Sequence, residues 1–176
     1  MKIYLAGSVP KGSEEEKTFV NWRLRYKDVL EKVFSSMQEA PCSFIMPNSG
    51  DMDENDFLLI VGKDSKSIKS SDLVVVNSEG RLGAGTSMEM VIAKYFKKPV
   101  ITVLPKNSYH RRTNVTFQGK FFVEDWIHPF VHTFSDFVVE SVEEIENIKD
   151  DVLSGEIKDI SIIDKSIEHR ETYGSS

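Results

Sequence analysis

One cysteine, Cys42, is the whole thiol content of the 176-residue chain. A single thiol excludes an intramolecular disulfide and a thiolate-rich zinc site, and it fits a reducing compartment. Long apolar runs are missing too. Stretches such as Leu73-Val74-Val75-Val76 fall far short of a bilayer span, and the opening Met1 to Gly7 is too short for a secretory h-region. The expected location is therefore the cytoplasm, away from membranes. There is no basic excess: 22 Lys plus Arg stand against 28 Asp plus Glu, a net charge of −6, which argues against a nucleic-acid partner. With no cluster of Cys, His or carboxylates at ligand spacing, no metal site is expected. What the chain does have is 40% hydrophobic residues, with eleven Phe and two Trp, enough to bury a core without cross-links.

The charge is uneven. Residues 140–176 carry eleven acids and four bases, net −7, while residues 1–139 are nearly neutral at +1. The acidic end reads as solvated helical surface. Length predicts one domain, with an α/β body over residues 1–140 and an acidic helical extension of it over 141–176. Residues 2–6 read as a strand ended by Gly7-Ser8. From about Ser13, apolar residues at Phe19, Trp22, Tyr26, Val29, Leu30, Val33, Phe34 and Met37 recur in steps of three and four. That spacing predicts one long helix with Glu14, Glu15 and Glu16 in its first turn. Residues 43–46 form a second strand stopped by Pro47, and residues 57–61 fit either strand or helix. A short helix over 64–70 precedes the β-branched run 73–76, which has the pattern of a central parallel strand. Residues 87–96 read as helix, 100–104 as strand, 105–120 as polar loop and 134–139 as the last strand, with helices near 141–152 and 157–169. The alternation predicts a doubly wound, flavodoxin- or Rossmann-like sheet of five parallel strands, with helices on both faces and ligands at the carboxyl ends of the strands.

Those ends select a few loops. In Gly83-Ala84-Gly85-Thr86-Ser87-Met88-Glu89, two glycines let the backbone turn sharply and approach a ligand. The helix behind them offers free N–H groups to an anion or to sugar hydroxyls. No third glycine completes a dinucleotide fingerprint, so NAD is not expected and no cofactor is implied. Glu89 has two readings. Thr86 and Glu89 fit a capping box, in which the carboxylate serves the helix's own N–H groups. One turn into a helix at the strand ends, the same carboxylate could instead attack an anomeric carbon. Asp64 likewise fits a cap for a helix beginning at Ser65, and Asp72 fits a cap or terminator of that helix. A glycosidic mechanism needs two carboxylates, one to attack carbon and one to protonate the leaving base, and Asp64 and Glu89 bracket one strand. His110-Arg111-Arg112 is either solvated surface or a clamp for phosphate or carboxylate. His128 and His132 read as packing or surface residues, and Trp22 and Trp126 as core residues, although an aromatic could stack a base.

Four motifs occur in a fixed order: Ile3-Tyr4-Leu5-Ala6-Gly7-Ser8-Val9; Asp64 with Ile68 and Ser71-Asp72-Leu73-Val74-Val75-Val76; Gly83 to Glu89; and Lys98-Pro99-Val100-Ile101. In these motifs residues 1–115 resemble the nucleoside 2-deoxyribosyltransferase family, which includes 2′-deoxynucleoside 5′-monophosphate N-hydrolases. The resemblance implies that Glu89 is a nucleophile forming a covalent deoxyribosyl-enzyme at C1′, and that Asp64 stands near the reacting sugar and base. It implies a first loop, from Tyr4 through Gly7, Ser8 and Val9, that contacts sugar and 5′-phosphate, and a pocket lined by Gly85. Thr113, 24 residues after Glu89, matches a hydroxyl residue that reaches the phosphate of the neighbouring subunit, so a homodimer or higher homo-oligomer is implied. Two positions depart from the pattern. Pro10 stands where the hydrolases carry a phosphate-binding arginine, leaving Lys11, Arg111 or Arg112 to substitute. Gly83 stands where the transferases have an aspartate and the hydrolases a serine.

The implied substrate is a small nucleoside or nucleotide, its glycosyl-enzyme resolved by water or by a second nucleobase. Loss of the transferases' aspartate tilts the reading toward water. Two alternatives stay open. Gly83, Gly85, Thr86 and Glu89 also match the Gly-x-Gly-Thr-x-x-Glu motif of lysine-decarboxylase-like phosphoribohydrolases, which cleave ribonucleotides. The chain could also be a non-catalytic nucleotide-binding module.

Overall fold

The computed structural model describes residues 1–10, 14, 17, 19–35, 41–46 and 55–174. Its strands are β1 (Lys2–Ala6), β2 (Ser43–Ile45), β3 (Leu73–Asn77), β4 (Val100–Val103), β5 (Arg111–Phe117), β6 (Phe121–Ile127) and β7 (Phe137–Val139). Its α-helices are α1 (Trp22–Ser35), α2 (Phe57–Ser70), α3 (Ala84–Tyr95), α4 (Pro129–Phe134), α5 (Lys149–Ser154) and α6 (Ile162–Tyr173), with a 3-10 helix at Val142–Asn147. Five strands form one sheet in the order β2-β1-β3-β4-β7, every neighbouring pair parallel. This is the expected doubly wound α/β fold.

Side-chain alternation along the strands splits the interior into two cores. Ile3, Leu5, Leu73, Val75, Ile101 and Val103 face Tyr26, Leu30, Val33 and Phe34 of α1, together with Val142, Ile145 and Val152 from the acidic end. Tyr4, Ala6, Val74, Val76 and Val100 face the other way, onto Ile68 of α2, Met90 and Ala93 of α3, and Val131 and Phe134 of α4. Tyr4 therefore looks toward the helices that carry Asp64 and Glu89. The chain leaves β1 for one side of the sheet and β3 for the other, so the crevice between their carboxyl ends is the topological switch point.

Several local expectations are corrected. The long helix begins at Trp22; residues 19–21 are not helical, and Ser13, Glu15, Glu16 and Met37 lie outside the described residues. Residues 57–61 are the start of α2, so the short helix over 64–70 is the second half of a longer one. The polar loop over 105–120 is mostly strand. β5 pairs antiparallel with β6, and Gln118 and Gly119 take positive φ in the turn between them, with Lys120 N–H donating to the Phe117 carbonyl at 3.0 Å. The two strands carry β-branched and aromatic residues on both faces, a strand composition obscured by the charges of Arg111 and Arg112. The last strand starts at Phe137, because Pro129, pre-set for a first helical turn, opens α4.

The edge of the second core holds a buried ion pair. Lys94 of α3 is fully buried and donates to Asp136, whose carboxylate also accepts the Val100 and Lys158 N–H groups, each at 2.7 Å. One carboxylate thus joins α3, β4, β7 and the segment leading to α6. Removing its cation leaves an uncompensated buried charge, which costs about 3–5 kcal/mol. Lys94→Met is expected to lower stability by about 3 kcal/mol in denaturant titration, and a loss below about 1 kcal/mol would show that Asp136 is satisfied by its N–H donors alone.

Candidate active site

The site forms at the carboxyl end of β1. Tyr4, fully buried, donates its Oη hydrogen to Glu89 Oε1 at 2.7 Å. Glu89 sits in the second turn of α3 and is 7% exposed. Its second oxygen, Oε2, is buried and has no hydrogen-bond partner. A desolvated carboxylate with one oxygen held and one free is poorly suited to stability and well suited to attack.

The capping-box reading of Glu89 fails here. The N-cap of α3 is Gly83, not Thr86, so Glu89 lies too deep in the helix to reach the first N–H groups. Ser87 Oγ donates to the Gly83 carbonyl at 3.1 Å, and Thr86 is buried. Asp64 is no cap either, since α2 is capped by Asp56, whose carboxylate accepts the Leu59 N–H at 2.9 Å. Asp72 instead accepts the Lys2 N–H at 2.7 Å, tying the opening ends of β1 and β3.

Burial is the largest cause of the raised Glu89 pKa, which stands at about 7. The Tyr4 hydrogen bond and the Arg23 charge pull it down, while the Asp64 charge pushes it up. Asp64, half-buried on α2, is itself raised above the usual carboxylate range by burial and held back by Lys63. The Asp64 charge disfavours ionisation of Glu89, so the two carboxyls titrate as a coupled pair that shares its last proton. Burial raises the Tyr4 phenol as well, with Glu89 adding to the effect, so Tyr4 stays a proton donor.

Arg23 was not anticipated. It is buried at the start of α1, where Nη2 donates to the Gly7 carbonyl at 3.0 Å and Nη1 to the Ser8 carbonyl at 3.2 Å. Its guanidinium lies 4.4 Å from the Trp22 ring centroid, and Trp22 Nε1 also donates to Ser8 at 3.2 Å. The signal was present in the sequence: positions 23, 26, 30 and 33 form one helical stripe, and Arg23 is its only charged member. Gly7 has a matching reason to be glycine. Its φ is +154°, and a Cβ there would fall 2.6 Å from the Trp22 ring and 3.2 Å from Asn77 Cβ.

The other candidates divide. Gly7 is buried, Ser8 exposed and Val9 half-buried beside this site. Gly83 and Gly85 are exposed, and a Cβ at either would meet nothing within 4 Å, so no sharp turn demands glycine there. Arg111, Arg112 and Thr113 are on the hairpin strand β5. Arg111 is no free clamp: Nε and Nη2 donate to Asp125 at 2.9 and 2.6 Å, and Nη1 to the Leu104 carbonyl at 3.2 Å. Thr113 donates to Asn107 at 2.7 Å. Arg112 lines a separate cavity that includes none of Tyr4, Asp64 or Glu89. Lys11 lies outside the described residues. Among the described residues, no group of three or more His, Cys, Asp or Glu could hold a metal ion, and no helix is long and apolar enough to cross a membrane.

The raised pKa makes Glu89 a liability to the fold at high pH. Below its ordinary value of 4.5 the carboxyl is neutral in folded and unfolded chains alike. Above about 7 the folded state carries the full cost of a buried charge, about 3 kcal/mol for that difference. Glu89→Gln is expected to match the parent in unfolding free energy near pH 4 and to exceed it near pH 8.5, by up to about 3 kcal/mol. Equal gaps at both pH values would mean that Glu89 is not held in this dry environment.

No family model and no curated protein matches the chain. Its structure is similar to a 2-deoxyribosyltransferase from Bacillus psychrosaccharolyticus, with 17% identity over 84% of this chain and 91% of that one, at a TM-score of 0.48. It is similar to the CMP N-glycosidase BcmB of Clostridium botulinum, with 14% identity over 85% and 98% of the two chains and a TM-score of 0.43. It is also similar to the 2-deoxyribosyltransferase of Leishmania mexicana, with 12% identity over 98% and 97% and a TM-score of 0.46.

Proposed function

We propose that this protein cleaves the N-glycosidic bond of 2′-deoxyribonucleosides or of their 5′-monophosphates, by double displacement through Glu89. The observation that carries the reading is the asymmetry of that carboxylate: Oε1 is fixed by Tyr4 while Oε2 is buried and unpartnered. The four-motif resemblance in the sequence supports the same assignment.

Oε2 attacks C1′ as the C1′–N bond breaks and its electron pair goes to the base nitrogen. Asp64 delivers a proton to that nitrogen, which neutralises the leaving base. Water then attacks C1′ and gives its proton back to Asp64, and the Oε2–C1′ bond breaks with its electrons returning to Glu89. A second nucleobase entering in place of water would make the reaction a transfer. Two displacements retain the configuration at C1′. Arg23 touches no reacting atom in this scheme; it fixes the Gly7–Ser8 carbonyls and biases Glu89 toward its ionised, nucleophilic form. A second copy of the chain completes the assembly by covering the exposed Phe57, Leu58 and Val61 at the start of α2, on the Asp64 side. Sedimentation equilibrium at micromolar concentration is expected to show that association, and a monomer there would remove it.

Incubation with a panel of deoxynucleosides and deoxynucleotides, with and without a free second base, is expected to release base as followed by chromatography. Glu89→Ala should lose at least a thousandfold in kcat with its fold intact, and retained turnover would discard the nucleophile. The reactive form holds one proton on the Asp64–Glu89 pair, so kcat/KM should be bell-shaped in pH, falling as the last proton leaves near 7. A rise through pH 7 to a plateau would instead mean that Asp64 is not the proton donor.

A further inference from the structure

The β5–β6 hairpin and the loop before it line an open pocket of about 290 Å³, near the small end of ligand sites. Its walls are aromatic: Tyr109, Phe117 and Trp126, with the imidazoles of His110 and His128. The rings form a chain of contacts, Phe117 to Trp126 at 5.6 Å between centroids, Trp126 to His128 at 5.8 Å and His128 to His110 at 5.6 Å. Arg112, paired across the hairpin with Trp126, is the cation of this lining, and no acidic residue belongs to it. Among the described residues the Arg112 guanidinium makes no hydrogen bond and no ion pair, in contrast to that of Arg111 beside it.

The imidazoles add a second observation. His110 Nε2 accepts the Leu82 N–H at 3.0 Å, so in the neutral ring the proton must sit on Nδ1. That Nδ1 is buried and has no acceptor, and His128 Nδ1 is buried without a partner as well. Burial also disfavours a charged His110, with His128 and Arg81 acting in the same direction. An unsatisfied buried donor such as His110 Nδ1 is costly and uncommon, and the unpaired guanidinium in the same lining calls for an oxygen acceptor from outside the chain. Trp and imidazole faces favour a flat ring, and a guanidinium favours phosphate or carboxylate.

We propose that this cavity is a second ligand site, taking a planar heteroaromatic molecule with an anionic group, the ring against Trp126 and the anion on Arg112. It stands apart from the Glu89 chemistry and does not depend on it. A nucleic-acid strand fits less well, because the lining offers one cation and the chain is acidic overall.

The test uses Glu89→Gln protein, so that no titrant is consumed. Tryptophan fluorescence is followed against AMP, orotate, adenosine and inorganic phosphate. AMP or orotate is expected to quench saturably, and which of the two does so tells phosphate from carboxylate. Adenosine and inorganic phosphate should each be at least tenfold weaker. Adding Arg112→Ala should weaken the effective titrant at least tenfold with an unchanged circular dichroism spectrum, since Arg112 holds nothing within the chain. Adding Trp126→Phe should abolish the quench. The site is disproved if neither anion quenches, if Arg112→Ala binds as the parent does, or if the quench survives Trp126→Phe and so reports Trp22. Tighter Arg112-dependent binding of a deoxythymidine oligomer than of AMP would overturn the small-ligand assignment in favour of a nucleic-acid strand.

Discussion

The fold keeps one carboxylate almost dry, and much else is arranged around that cost. Glu89 cannot be ionised in this environment without help, and help comes from two directions that the topology dictates. Strand alternation turns Tyr4 toward α3, where its hydroxyl meets Oε1. The reversal of strand order between β1 and β3 opens the crevice into which α1 presents Arg23 from the opposite face of the sheet. Neither group pairs with the carboxylate fully. A bidentate arginine at Glu89 would have driven its pKa well below neutrality and occupied the oxygen that has to react. A single phenol and a cation kept at a distance leave it ionisable near pH 7, with a free lone pair.

The buried cations show how charge is allotted. Lys94 and Arg111 are each neutralised by a hydrogen-bonded carboxylate, Asp136 and Asp125, and each joins separate elements of the fold. Arg23 is buried too, but its partners are the carbonyls of Gly7 and Ser8, which carry no net charge. Its positive charge is left to act on Glu89 and Tyr4, and both feel it. Burying a guanidinium without a counter-ion is expensive, and burial lowers its own pKa, so the arrangement makes little sense as stabilisation alone. The same positions that hold the Gly7 loop against Trp22 therefore tune the carboxylate one strand away.

Periodicity in the sequence was sufficient for the sheet. The apolar, valine-rich run 73–76, the Gly7 stop after β1 and Pro99 before β4 each fix a strand by local chemistry, and all three stand where the reading placed them. The errors share a cause. Residues 57–61 and 111–127 are apolar or mixed without a clean period, because each lies at the surface where no single face is buried. Glu89 illustrates the other limit. Spacing alone could not separate a cap from a nucleophile, since the choice depends on whether the helix starts at Gly83 or at Thr86, and a start signal of glycine is weak. Arg23 was missed because a long amphipathic stripe was read for its apolar members, although a charge inside such a stripe is the informative residue.

Arg111 and Arg112 are adjacent in sequence and opposite in use, and the pleat explains it. Successive side chains on β5 point to opposite faces, so one guanidinium turns to Asp125 and Leu104 and anchors the hairpin to the end of β4. The other is left on the aromatic face with nothing of this chain to bind. An isolated two-stranded hairpin is marginal in water, and this one depends on the Arg111 anchor and on the His110 bond to Leu82. Leu82 immediately precedes Gly83, the cap of the helix that carries Glu89. The aromatic cavity and the buried carboxylate thus lie on either side of one short connection, from the His110 bond at Leu82 to the cap at Gly83.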